Sequence, residues 1–302
     1  MLPDASLSIS DMAIIACFCF LVIRLGSDSL MQKTGRINYI FFPKRRVSGD
    51  FLLMKTKIFY FILLAALWQG AAFAFSSNNN TGGNVHGDIT SEALKDLFSP
   101  ANLKVIIEAN LAQDQPGSAQ LSELRRHFGD EHFTSSLGYI DREKKRALNY
   151  AAEADTDPEQ RGRTLVHFGE VLHCVQDFYS RTNYIELMLS NPGYKDEPYS
   201  IPLVDWQKVP DGYPGLICFS AKAGNPTDTA GIVKDSSSTA EGKKVISGKT
   251  TYFSAARDLA IRESQRQWNL FETMIRNRCG SRAAAIIAAL KQASPEVKPD
   301  HI

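Results

Sequence analysis

Residues 166–180 constrain the fold more than any other stretch, because they read as an apolar helix with His173 and Asp177 one turn apart. At a spacing of four both side chains leave the same helix face. Val171, Leu172, Val175, Phe178 and Tyr179 form the stripe that such a helix buries, so an imidazole and a carboxylate must sit at or beside the core. Buried polar groups need partners. From the pair alone two arrangements are open: a core histidine with a capped or ion-paired aspartate, or two ligands of one divalent cation.

Composition narrows the partners. The chain has 302 residues, is 44% hydrophobic, and sets 34 Lys plus Arg against 33 Asp plus Glu, a net charge of +1. It can bury one large core or two smaller ones. Nothing in that charge draws it to nucleic acid, and its basic clusters, Lys44-Arg45-Arg46 and Arg125-Arg126, are the size of ordinary solvated surface.

Two hydrophobic runs lie near the N-terminus. The first spans residues 12–23. The second follows Lys55 and Lys57, runs from Ile58 to Trp68, and ends in small residues up to Ala74. A positive start, an apolar centre and a small-x-small end make residues 54–74 a signal peptide, with 1–53 an upstream extension and Met54 the true start. Export to the periplasm or medium is the expectation; anchoring in a membrane by these runs is the alternative. Cys174, Cys218 and Cys279 then remain in the mature chain, a count that permits one disulfide and one thiol.

Beyond a polar leader at 75–83, the mature chain is expected to be all-α. A short helix from Thr90 to Phe98 ends at Pro100, and a second follows from Asn102 to Leu111. Leu121–Phe128 adds a turn, 127–133 is irregular, and Arg142–Asp155 is a further helix. Residues 159–189 form one long helix or break near Ser180. Asn191–Val245 is rich in Pro, Gly, Ser, Asp and Thr and reads as a long irregular insertion, functional or disordered. Ser254–Arg276 and Arg282–Gln292 close a domain of 84–293, with 294–302 as a tail.

His86, Asp114, His127, His173 and Asp177 are the candidate ligands, drawn from a helix entrance, a helix end, a loop and one helix face. Imidazole with carboxylate suits zinc. His167 stands about 120° around the helix from His173, too far to share an ion, and with His132 reads as surface or helix packing. Asp88 and Asp130 orient ligands from behind or cap loops.

The blocks His86-Gly87-Asp88-Ile89-Thr90, Ala109 to Asp114, His127 to Glu131, Leu172 to Ser180 and Gly231 to Ser236 occur in the same order as in the Het-C family, named for a fungal heterokaryon-incompatibility protein. The chain resembles that family over roughly residues 84–275. Het-C domains in turn look like the helical fold of zinc-dependent phospholipase C and the related single-strand nucleases. The resemblance implies that Asp114, His127, His173 and Asp177 hold one zinc, and that Asp177 reaches a second held by His86. It implies hydrolysis of phosphoesters, with phospholipid or a membrane surface as partner and Asp114 as the catalytic carboxylate. The long segment with Trp206, Tyr213 and Phe219 would face substrate or membrane, or be a solvent-exposed insertion.

The chain departs from the family at Arg181, where a histidine is usual, and at Thr251–Ala256, where another is expected. Glu186 remains, so a third metal position would lack its imidazoles. Arg181 either pairs with Asp177 or binds a substrate phosphate. The rival to an enzyme is a non-catalytic module with a structural or vestigial metal, acting through protein or membrane contacts.

Overall fold

The computed structural model describes residues 84–298 apart from 116–117, 130–132, 196 and 219–232. The expected upstream extension, signal peptide and leader lie outside the described residues, as do Asp130, His132, Phe219 and the first two residues, 231 and 232, of the Gly231–Ser236 block. Helices α1 (Val85–Leu94), α2 (Pro100–Ala112), the one-turn α3 (Ala119–Ser122), α4 (Phe133–Ala151), α5 (Pro158–Arg181), α6 (Tyr184–Leu189), α7 (Tyr252–Cys279) and α8 (Ala283–Gln292) make an all-α architecture. A two-stranded hairpin, β1 (Val245–Ser247) with β2 (Thr250–Thr251), precedes α7; the sequence pattern is too short there to betray it.

Several boundaries differ from the sequence reading, each for a local reason. The Asn84 side chain accepts from the Gly87 amide at 3.1 Å, so α1 starts at Val85 rather than Thr90 and takes His86 into its first turn. Pro100 does not end that helix but opens α2, where its missing N–H costs nothing and Ser99 caps. Helix α4 begins nine residues before Arg142. Phe133, Ser136, Tyr139, Ile140, Glu143 and Ala147 share its buried face, and small polar residues among them hide the period. Thr182 is extended and ends α5 after Arg181, so the break near Ser180 is the outcome that occurs.

Helix α5 is central: eighteen of its residues are buried, and α2, α4 and α7 pack around it. Gly169 lets α2 approach, since a Cβ there would stand 2.5 Å from the Ile106 carbonyl oxygen and 2.8 Å from the Ala109 Cβ. Phe98, Phe168, Trp268 and Phe271 fill one end of the core with centroids 4.6–5.5 Å apart in edge and stacked contacts. Phe128, Phe178, Trp206 and Tyr184 fill the other. Trp206, placed by the sequence on an insertion, instead packs on Phe178 and donates Nε1–H to Glu263 at 2.9 Å.

The 294–298 stretch is not a loose tail. Glu296 N donates to the Pro158 carbonyl at 2.8 Å, and Arg161 donates to the Ser294 carbonyl at 2.5 Å, strapping the start of α5. Cys174, Cys218 and Cys279 form no disulfide with one another, and the first two are buried. Among the described residues no helix is long and apolar enough to cross a membrane.

Candidate metal centre

Two helices and two turns bring His86, Asp114, His127, His173 and Asp177 together, each no more than 1% exposed. His86 comes from the first turn of α1, Asp114 from the turn after α2, His127 from the turn after the 3-10 segment Leu124–Arg126, and His173 with Asp177 from α5. Phe128 holds a left-handed backbone (φ 46°) that few bulky residues adopt, and its ring is anchored against Phe178 at 5.3 Å. That anchor fixes the neighbouring His127.

The carboxylates sit among the imidazoles. Asp177 Oδ2 lies 3.2 Å from both His127 Nδ1 and His173 Nε2, while its Oδ1 lies 3.1 Å from His86 Nε2. Asp114 mirrors it from slightly further back: Oδ1 is 3.6 Å from His127 Nδ1 and His173 Nε2, and Oδ2 is 3.7 Å from His86 Nε2. His173 Nε2 and His127 Nδ1 are themselves 2.9 Å apart.

The outer hydrogen bonds decide what these nitrogens present to one another. The Ser264 hydroxyl gives its proton to the Ala260 carbonyl at 2.8 Å and therefore accepts from Gln176 Nε2 at 3.0 Å. That orients the Gln176 amide, whose Oε1 accepts from Asn110 Nδ2 at 3.1 Å and from His86 Nδ1 at 2.7 Å. Asn110 is oriented in turn, and its Oδ1 accepts from His173 Nδ1 at 3.1 Å. An amide oxygen only accepts, so both imidazoles carry their proton on Nδ1 and, when neutral, aim an Nε2 lone pair inward. His127 Nε2 donates to the Gln120 carbonyl at 3.3 Å, which leaves its Nδ1 lone pair inward as well. Neutral, the three rings point lone pairs at two carboxylates and at each other.

Such an arrangement is repulsive unless a cation sits in it. Both oxygens of Asp114 and Oδ1 of Asp177 are buried without a hydrogen bond, a cost of several kcal/mol for an ionised group in a dry site. A proton relieves part of it. Burial pulls the His86 imidazole down, but Asp177 and Asp114 outweigh burial and leave it raised above its ordinary value. Burial and the charge on His86 push His173 down to about 4. Burial alone would lift the Asp177 carboxyl, yet the imidazoles of His173 and His86 hold it well below the usual carboxylate range. One proton on His86 cannot reach both Asp114 oxygens. His86, Asp114 and His173 on one side, and His127, His173 and Asp177 on the other, offer donor atoms within 4.8 Å of one another, and these buried groups can hold a metal ion.

All five candidate ligands thus converge, including His86, which the sequence places at a helix entrance. Asp88 is exposed on α1 and does not orient a ligand. Glu186 is elsewhere engaged: the buried Lys234 ammonium lies 3.0 Å from it and also donates to the Thr182 carbonyl at 2.6 Å. Arg181 is buried, at 4% exposure. His167 forms a separate cluster, 3.1 Å from Glu143 and 2.7 Å from Glu170 and stacked on Tyr150 at 5.5 Å.

Four residues of the site went unassigned in the sequence: Asn110, Gln176, Thr90 and Ser264. For the first two and Thr90 the signal is spacing, while Ser264 has none. Thr90 follows His86 by four, Asn110 precedes Asp114 by four, and Gln176 follows His173 by three, so each helix face that carries a ligand carries its support too. Asp235 was also missed as a participant. Burial raises its carboxyl to about 6, with Arg181 opposing and the charges of Asp177 and Asp114 adding, so it stands near all three.

No protein-family model matches the chain, and no curated protein or solved structure matches it either.

Proposed function

We propose that this protein is an exported, Het-C-like hydrolase that holds two zinc ions and cleaves phosphoesters, with phospholipid as the substrate class the family resemblance suggests. The observation that carries the reading is the Asp114 carboxylate, buried with neither oxygen hydrogen-bonded, facing inward imidazole lone pairs. Donor separations of 2.9–3.7 Å suit neighbouring ligands of a small ion with bonds of about 2.0–2.1 Å. His127, His173, Asp114 Oδ1 and Asp177 Oδ2 would hold one ion. His86 with Asp114 Oδ2 and Asp177 Oδ1 would hold the second, and three protein donors leave a position open for chemistry.

Zinc at such a site acidifies water and offsets charge on phosphoryl oxygens. The chain's own part is to fix the donors through Gln176, Asn110 and Ser264, and to keep bulk water out by burying them. Asp114, facing both positions, would orient the attacking water in this reading. The export component rests on residues 54–74.

The full burial of the five donors favours a second reading, a non-catalytic module with a structural metal acting through protein or membrane contacts. The chain starting at Phe75 decides between them. Zinc is counted by mass spectrometry, and phosphodiesterase and phospholipase activities are compared for wild type, Asp177→Asn and His173→Ala. Two zinc ions with activity lost in both variants supports the hydrolase; equal activity in all three overturns it, and bound zinc without activity leaves the structural module.

A further inference from the structure

We infer that Arg181 is an anion clamp, which holds the phosphoryl oxygens of a bound phosphate group beside the metal centre. The inference rests on the two-zinc reading and adds to it the residue that recognises the substrate. Arg181 follows Asp177 by one turn of α5, so the two side chains lie one above the other, and at 4% exposure the guanidinium has little water around it. Its Nη1 lies 3.6 Å, an ordinary contact distance, from the point where a Cβ on Gly129 would be, two residues after His127, so the guanidinium sits beside the turn that carries this ligand. Across the same end of α5 runs the 234–235 segment, held by Lys234 N donating to the Ser180 carbonyl at 2.9 Å. It brings Asp235 into the field of Arg181, Asp177 and Asp114.

Charge balance then selects the ligand. Lys234 and Glu186 neutralise each other, and the coordinating imidazoles are neutral. Among the described residues around the site, Asp114, Asp177 and Asp235 bring three negative charges. Against them stand Arg181 and two divalent ions, which leaves two positive charges in excess in a buried region. One ion alone would leave none. A buried excess of that size needs an anion. A phosphate monoester dianion supplies two charges, and a diester with a hydroxide nucleophile supplies the same. The planar guanidinium fits two phosphoryl oxygens at once, which an ammonium does not.

The test is inorganic phosphate binding by calorimetry, on protein whose zinc content has been measured first. Wild type with two zinc ions is expected to bind phosphate, and Arg181→Met with two zinc ions to bind it at least tenfold more weakly, with Arg181→Lys between. Equal phosphate affinity in wild type and Arg181→Met, or no phosphate binding by the two-zinc wild type, overturns the clamp while leaving the metal reading intact. Fewer than two zinc ions in wild type removes the charge excess and overturns both. Should Arg181→Met fail to retain two ions, Arg181→Lys is read in its place, and an affinity equal to wild type overturns the clamp.

Discussion

The Gln176 side-chain amide stands 3.0 Å from the Ser264 hydroxyl across the α5–α7 contact, and that hydroxyl has already given its proton to the Ala260 carbonyl. A backbone carbonyl on α7 therefore sets the orientation of Gln176, then of Asn110, and finally the tautomers of His86 and His173. The metal-facing nitrogens are prepared from behind.

Removing the first member of that relay should loosen the rest without touching a ligand. Ser264→Ala removes one of the two hydroxyls that accept from Gln176 Nε2 and leaves Thr90 Oγ1 at 3.0 Å as the other, which weakens the hold on an amide whose reversal would turn a donor toward His86 Nδ1. Zinc affinity, measured by chelator competition, is expected to fall by roughly 10- to 100-fold, the usual cost of losing an outer-shell partner. Unchanged affinity would show that the tautomers are fixed by something other than this chain of bonds.

Asp114→Asn separates the cost of the empty site from the gain of the filled one. In the wild type, free zinc at a thousandfold over Kd contributes about 4 kcal/mol to folding. For a domain of this size chelation should then lower the melting temperature by on the order of 10 °C. The variant lacks one buried charge, so its melting temperature is expected to barely respond to chelator. After chelation it should equal or exceed that of the wild type, because a buried carboxylate without hydrogen bonds is gone. A chelator shift as large as the wild type's would show that Asp114 does not bind the metal.

The site was legible where chemistry is carried by residue type at helical spacing. His173 with Asp177 on one apolar face, and His86, Asp114 and His127 as candidates, all reappear within one cluster. What stayed hidden is whatever depends on tertiary placement. Asn110 and Gln176 look like ordinary helix residues until α2 and α5 are packed, and Ser264 lies 88 positions from the amide it orients. Helix α4 was cut short because its buried face mixes Ser136 and Glu143 with aromatics, which dilutes the apolar period. Trp206 was read as insertion surface because no local pattern shows that Phe178 and Glu263 wait for it. His86 looked like a residue at a helix entrance because Gly87 and Asp88 after it weaken the helix signal that the Asn84 cap restores.

Gly169 couples the fold to the site, since α2 carries Asn110 and leads into Asp114, while α5 carries His173. A Cβ at that position meets the Ile106 carbonyl oxygen at 2.5 Å, which backbone cannot yield without moving the helix. Gly169→Ala is expected to destabilise the protein by about 1–3 kcal/mol through overpacking, despite alanine's better helix propensity. Zinc affinity should fall with it, because separating α2 from α5 lengthens the Asn110–His173 bond. Denaturant midpoints together with chelator competition check this; a stabilised variant would mean that the two helices separate freely.

His167 makes stability depend on pH outside the metal centre. Its Nδ1–H lies between Glu143 on α4 and Glu170 on its own helix, with Arg126, Arg142 and Arg146 on the far sides of the two carboxylates. Burial pulls the imidazole down, but the bonds to Glu143 and Glu170 outweigh it and raise it from 6.5 to about 9. A folded-state value above the unfolded one means that the contribution is fully present below pH 6.5 and is lost as pH rises through 9. The shift corresponds to at most about 3 kcal/mol at one end of that window. Wild-type unfolding midpoints in urea should therefore fall between pH 6.5 and 9. In His167→Gln they should start lower at pH 6 and fall less steeply across the same range, since the glutamine amide does not titrate and only other groups such as His86 still do. Parallel pH profiles for the two proteins would place the titrating group elsewhere.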